Sequence, residues 1–123
     1  LNPAFISVLG ASDTISAALL ADLQSIATVE QFNDPDASVR SAEVWSYMTS
    51  STWVSLATSG AFPDALTATP FSALAPPSPL MLVPGTCVPA AVRTTITRLG
   101  TTNLALFGGP AALDPAVESL TPC

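Results

Sequence analysis

The stretch Trp53-Val54-Ser55-Leu56-Ala57-Thr58-Ser59-Gly60-Ala61-Phe62-Pro63-Asp64-Ala65-Leu66 decides the fold. Its first six residues form an apolar run that does not alternate with polar residues, as expected of a strand buried on both faces. Ser59-Gly60 supplies the turn, and Asp64 is the expected cap of a helix reaching about Leu74. A strand, a glycine turn and a helix in that order are the opening of a parallel crossover unit.

The same grammar repeats outward from that segment. Downstream, Pro79-Leu80-Met81-Leu82-Val83 reads as a strand ended by Pro84-Gly85. Pro89 opens a helix that runs to Leu99 and is stopped by Gly100. Leu104-Ala105-Leu106-Phe107 is the next strand, Gly108-Gly109 its turn, and Asp114-Pro115 the cap and first residue of a last helix. Pro76-Pro77-Ser78 is expected to break the preceding helix. Upstream, Ala4 to Leu9 reads as a strand ended by Gly10. A helix follows from about Thr14, with Ile15, Leu19, Leu23 and Ile26 on one apolar face. Thr28 to Phe32 is a short strand, and Ser38 is the expected N-cap of a helix through Val39, Ala42, Trp45 or Val44, and Met48. Alternation of strands and helices predicts an α/β fold: three layers, a mostly parallel sheet with helices on both faces and right-handed crossovers.

Composition narrows the function. The chain has 123 residues, 49% hydrophobic and only 10% charged, with a net charge of −6. That suits one domain with a sizeable core and a surface rich in Ser, Thr, Pro and Ala. Arg40, Arg93 and Arg98 are the only cations, too few for nucleic-acid phosphates or for an anionic membrane surface. No apolar run reaches the roughly 18 residues that a membrane-spanning helix needs. The start at Leu1 reads as a processed or trimmed chain. Cys87 and Cys123 are expected to pair in an oxidising compartment, stapling the C-terminus with about 3–4 kcal/mol in the chain-entropy model; two free thiols are the alternative.

One internal echo organises the whole. Val8-Leu9-Gly10-Ala11, Ile15-Ser16 and Leu19 fall at a constant offset on Leu106-Phe107-Gly108-Gly109, Leu113-Asp114 and Val117. Coincidence between two strand-turn-helix units is one reading. The other is that residues 1–27 are the tail of one repeat and 28–123 a nearly complete second repeat within a single domain.

With these motifs in order, the chain resembles the cell wall-binding repeat type 2 family. The resemblance is carried by Leu56 through Leu66 with its Gly-aromatic-Asp-Ala-Leu pattern, by the proline-led strand from Pro79, by Val88-Pro89 through Leu99-Gly100, and by Leu106 through Gly109. It covers about Trp53 to Leu120, and more weakly Phe5 to Met48. It implies a Rossmann-like or Toprim-like module that holds a secreted protein noncovalently on a secondary polymer of the bacterial cell wall, without catalysis. Tandem triplets in the family imply a homo-oligomer here, for instance a trimer. The family's proline-led strand is implicated in polymer binding and maps onto Pro79, Leu80, Met81 and Leu82. A buried central strand is the alternative reading of those four. The chain departs from the family where Asp36 is followed by Ala37 and Ser38 instead of arginine, and where Gly10 is followed by Ala11.

Other chemistry is weak. The chain has no histidine, which excludes Ser-His-Asp and Cys-His nucleophile systems and removes the commonest zinc ligand. Asp64 with Asp13 or Asp114 is the one carboxylate set that a hydrolase would use, but capping explains all three. Gly10-Ala11-Ser12-Asp13 and Gly108-Gly109-Pro110 lack the phosphate-loop lysine, and Asn33, Asp34 and Asp36 fall short of a calcium loop. No cofactor or metal is expected. Ligands of open parallel sheets bind beyond the carboxyl ends of the strands, where helix N-termini present N–H groups. The candidate edge is therefore Ser59, Gly60 and Asp64, then Gly85 and Thr86, then Gly108 and Gly109, contacting wall polysaccharide through backbone groups and hydroxyls. The reading from another class is a self-assembling structural domain that has lost polymer binding.

Overall fold

The structure, a computed structural model, describes residues 2–11, 13–74 and 78–123. Its chain contacts divide it into two compact units, Leu1–Asp36 and Ala37–Cys123, whose boundary falls after the second strand.

The first unit is one parallel crossover. Strand β1 (Phe5–Leu9), helix α1 (Ala17–Ile26) and strand β2 (Thr28–Phe32) follow in order, and β1 pairs with β2 in register from Phe5–Thr28 to Leu9–Phe32. The ladder is closed by Gly10, whose N–H donates to the Phe32 carbonyl at 3.0 Å, while Gln31 Nε2 donates to the Gly10 carbonyl. Helix α1 starts three residues later than its sequence suggests. Ser16, not a residue near Thr14, is the N-cap, and its hydroxyl accepts from Leu19 N–H. The expected apolar face of α1 is only half covered: Ile15 and Leu23 are partly buried, Leu19 and Ile26 are 45% and 56% exposed, and no residue of the helix is fully buried.

The second unit holds α2 (Ala37–Glu43), β3 (Trp53–Thr58), α3 (Phe62–Leu74), β4 (Leu80–Val83), α4 (Ala90–Leu99), β5 (Asn103–Phe107) and α5 (Pro115–Glu118). Its sheet has the order β4-β3-β5 and both pairings are parallel. Central strand β3 is buried along nearly its whole length, the reason for its unbroken apolar run. Val54 and Leu56 point into a core with Met81, Val83, Val92, Ile96, Leu99 and Val117, which α4 and α5 cover. The opposite face meets α3. There the Phe71 ring packs edge-on to Trp53 and tilted against Phe107, and Ser72 Oγ donates to Ser55 Oγ. Helices thus lie on both faces of this sheet, the layered parallel architecture that the sequence predicts.

The outer edge of β4 is closed by side chains following the α2 register. Ser41 Oγ accepts from Leu82 N–H at 2.9 Å, and Trp45 Nε1 donates to the Leu80 carbonyl at 3.0 Å. Covering an edge in this way removes a template for strand addition. Helix α2 differs from its sequence reading: Ser38 lies inside it and is buried, and the helix stops at Glu43. The local reason is an Asx turn upstream, where Asp34 Oδ1 accepts from Asp36 N–H, so the chain is already turned before Ser38. Gly100 ends α4 in the left-handed region at φ 67°, and Asp114 caps α5 with Pro115 in its first turn. Pro76 and Pro77, expected to break α3, lie outside the described residues; the helix ends at Leu74. Cys87 and Cys123 form a disulfide with Cα atoms 5.0 Å apart, next to a bridge between Val88 and Pro122.

Candidate functional site

The three parallel strands of the larger unit all end at one rim, and the turns that leave them converge there. At the end of β3, Thr58 Oγ1 accepts from Gly60 N–H at 3.1 Å, a hydroxyl-stabilised turn that leaves Ser59 and Gly60 exposed. Ser59 N–H donates to the Val83 carbonyl, tying this turn to the end of β4. At the end of β4, the Gly85 carbonyl accepts from Asp114 N–H at 2.7 Å, so the β4 turn is tied to the start of α5.

The glycines are set by close approach. A Cβ added to Gly85 would lie 2.5 Å from the Ala112 carbonyl oxygen, too near for any side chain unless backbone moved. A Cβ on Gly108, whose φ is 139°, would lie 3.0 Å from the Asp64 carboxylate and 3.1 Å from Ala112 Cβ. Gly109 has open space around its Cα. The fold therefore brings Asp64 of α3 against Gly108 of the β5 turn, and Gly85 of the β4 turn against Ala112. Thr86, Gly108 and Gly109 are exposed, and Asp64 is half-buried beside Gly108.

Asp64 does not cap its helix. Helix α3 begins at Phe62, with Pro63 and Asp64 both in the first turn, where a proline's missing N–H costs nothing. Asp114 does cap: its Oδ1 accepts from Ala116 N–H at 2.9 Å, which uses that carboxylate structurally. Asp13 is an exposed residue of the smaller unit. Among the described residues no group of three or more His, Cys, Asp or Glu is placed to hold a metal ion, and no helix is long and apolar enough to cross a membrane.

The proline-led segment divides by burial. Pro79 and Met81 are buried, whereas Leu80 and Leu82 are partly exposed on the edge strand beside α2. Two features of the surface escaped the sequence reading. Thr58 organises the first turn, and its position directly before Ser-Gly was the available signal. A groove along α4 is lined by Ala90, Arg93, Thr94, Thr97 and Arg98, two of the three cations of the chain. Arg98 also donates to the carbonyls of Trp45 and Met48. The helix that carries both arginines was legible in the sequence, but their five-residue spacing does not by itself announce a groove.

A parallel α/β module whose glycine turns gather at the carboxyl rim of the sheet is a binding fold in its general layout. Within that class, the sequence profile of cell wall binding domain 2 matches residues 5–118, nearly the whole chain, and the chain belongs to that family. Comparison with curated proteins and comparison with solved structures each returned no match. Family membership gives the chain a cell wall binding role and an association with the cell wall or surface.

Proposed function

We propose that this chain is a secreted, non-catalytic module that attaches noncovalently to a secondary polymer of a bacterial cell wall. The observation that carries the reading is the family match over residues 5–118, combined with the convergence of three exposed turns at one rim. In this reading Ser59, Gly60, Asp64, Gly85, Thr86, Gly108 and Gly109 form the contact surface, with Pro79 to Leu82 beneath it as the strand that positions the Gly85 turn. Sugars carry many hydroxyls and few charges per ring. Backbone N–H and C=O groups, Thr and Ser hydroxyls and one carboxylate suit them as donors and acceptors. The net charge of −6 disfavours a densely anionic polymer, except along the α4 groove, where Arg93 and Arg98 lie. The Cys87–Cys123 disulfide is in keeping with an oxidising, extracellular setting.

A second reading has an observation of its own. Phe62, Leu66 and Leu74 project from α3 at 75%, 63% and 88% exposure. An apolar helix face of this kind favours a self-assembling domain, a homo-oligomer such as a trimer, whose rim has no glycan to hold.

Purified cell walls, intact and stripped of secondary polymers, separate the two. Wild-type protein is expected to sediment with intact walls and to lose at least about tenfold in retention after stripping, as does Thr86→Trp on intact walls, since a bulky exposed ring blocks the rim without entering the core. Retention unchanged by stripping rejects polymer recognition and leaves the self-assembly reading.

A further inference from the structure

The two ends of the chain present the same strand edge, paired with a strand in one place and, among the described residues, with none in the other. Strands β1 and β5 fall at the internal offset noted above, Phe5–Leu9 on Asn103–Phe107, and each runs into a glycine of positive φ, Gly10 at 158° and Gly108 at 139°. Each then leads to a helix capped by a side-chain oxygen, Ser16 for α1 and Asp114 for α5.

In a parallel ladder, alternate residues turn their N–H and C=O groups toward opposite neighbours. Asn103 N–H donates to Thr52 O at the β3 side, so Asn103, Ala105 and Phe107 serve β3, and Leu104, Leu106 and Gly108 face the outer edge of β5. Gly10 N–H donates to Phe32, so in β1 the residues that serve β2 are Ile6, Val8 and Gly10. Those are the equivalents of Leu104, Leu106 and Gly108. Among the described residues the outer edge of β5 pairs with no strand, and Gly108 N–H meets no backbone acceptor. Burial follows the same difference: Val8, beside a partner strand, is 7% exposed, whereas its equivalent Leu106 is 37% exposed.

We infer that the outer edge of β5 is a docking site for the β2 strand, Thr28–Phe32, of a second copy of this chain, added in parallel in the register that β1 uses. That register sets Leu104 against Val29, Leu106 against Gln31, and Gly108 N–H against the Phe32 carbonyl. The exchange conserves the ladder, because a copy that lends β2 replaces a β1–β2 pairing by an equivalent β5–β2 pairing. Its drive comes from the acceptor. A two-stranded sheet is marginal by itself, and β2 sits in one whose helix buries no residue; β5 belongs to a three-stranded sheet with a continuous core, which a fourth strand extends. The other edge of that sheet is already covered by Ser41 and Trp45, so strand addition has one direction only. This inference does not depend on polymer binding and can fail or hold without it.

Register-specific crosslinking tests it. Full-length chains carrying Leu106→Cys are mixed at high concentration with chains carrying Gln31→Cys and oxidised gently. The expected product is a mixed dimer, about tenfold more abundant than with Thr28→Cys, which is out of register and on the opposite side of the strand. Equal yields from the two partners overturn the inference. A dimer of Leu106→Cys with itself overturns it too, in favour of β5–β5 contact. Leu106→Pro removes an outward N–H while sparing the β3 ladder, as edge prolines do. The unmodified chain is expected to rise in mass with concentration by light scattering, and Leu106→Pro to abolish that rise. A rise that persists in Leu106→Pro, or an unmodified chain whose mass never rises, also counts against the docking site.

Discussion

Helices α1 and α4 have the same length, ten residues, and each leaves a parallel strand through a turn, yet they are held in opposite ways. α4 buries Val92, Thr95, Ile96 and Leu99 against the sheet and ends on a left-handed glycine. α1 is richer in apolar residues and buries none of them. Hydrophobic content therefore does not by itself decide burial. A helix is held when its apolar stripe matches a surface wide enough to receive it, and a three-stranded sheet provides one where two strands do not.

The largest effect expected from this contrast lies in the core. Leu56→Ala should lower unfolding stability in denaturant titrations by about 2–5 kcal/mol, because Leu56 is fully buried on the central strand. Leu19→Ala on α1 should change it by less than about 0.5 kcal/mol, as exposed positions do. Comparable losses at the two sites would break the contrast.

An intermediate effect is expected at the rim. Gly85→Ala forces a methyl group against the Ala112 carbonyl and should cost about 1–3 kcal/mol by the same titration, with wall retention falling as the β4 turn shifts. Gly109→Ala, in open space, should leave both unchanged within error. Equal behaviour of the two glycines would show that the turns are not packed against one another.

The smallest effect sharpens the comparison at the caps. Asp114→Ala and Ser16→Ala each remove one side-chain acceptor at a helix start, and each should cost its helix about 0.5–2 kcal/mol. Hydrogen exchange distinguishes where the loss falls. With Asp114→Ala the protected amides of β5 are expected to exchange faster along with the core, whereas with Ser16→Ala the change stays within α1 and the β1–β2 ladder.

Most of the strand framework was legible because an apolar run flanked by a glycine or proline turn has few other uses. Trp53–Thr58 was read to the residue, and the other strands to within one at either end. Helix starts were less legible, since several residues in a row are able to cap. Ser38 and Asp64 both carry good capping side chains and both lie inside their helices, because an upstream Asx turn or a first-turn proline had already set the entry. The rim residues were located by the rule that ligands meet open sheets at their carboxyl ends, but the contacts among them were not. Asp64 and Gly108 are far apart in sequence, and only the parallel stacking of β3 beside β5 puts them together.

By itself the sequence determined the alternating strand and helix order, the parallel sense of pairing and the family, since all three follow from local patterns or ordered motifs; it left the cysteines as a pair or as free thiols, and the structure joins them. The tertiary structure alone decided which apolar faces are covered, which glycines are crowded, and that one edge of the three-stranded sheet is sealed by Ser41 and Trp45 while the other pairs with no strand among the described residues. The physical reason is that burial and edge pairing depend on what lies opposite a residue across the fold, and no local pattern of side chains specifies that neighbour.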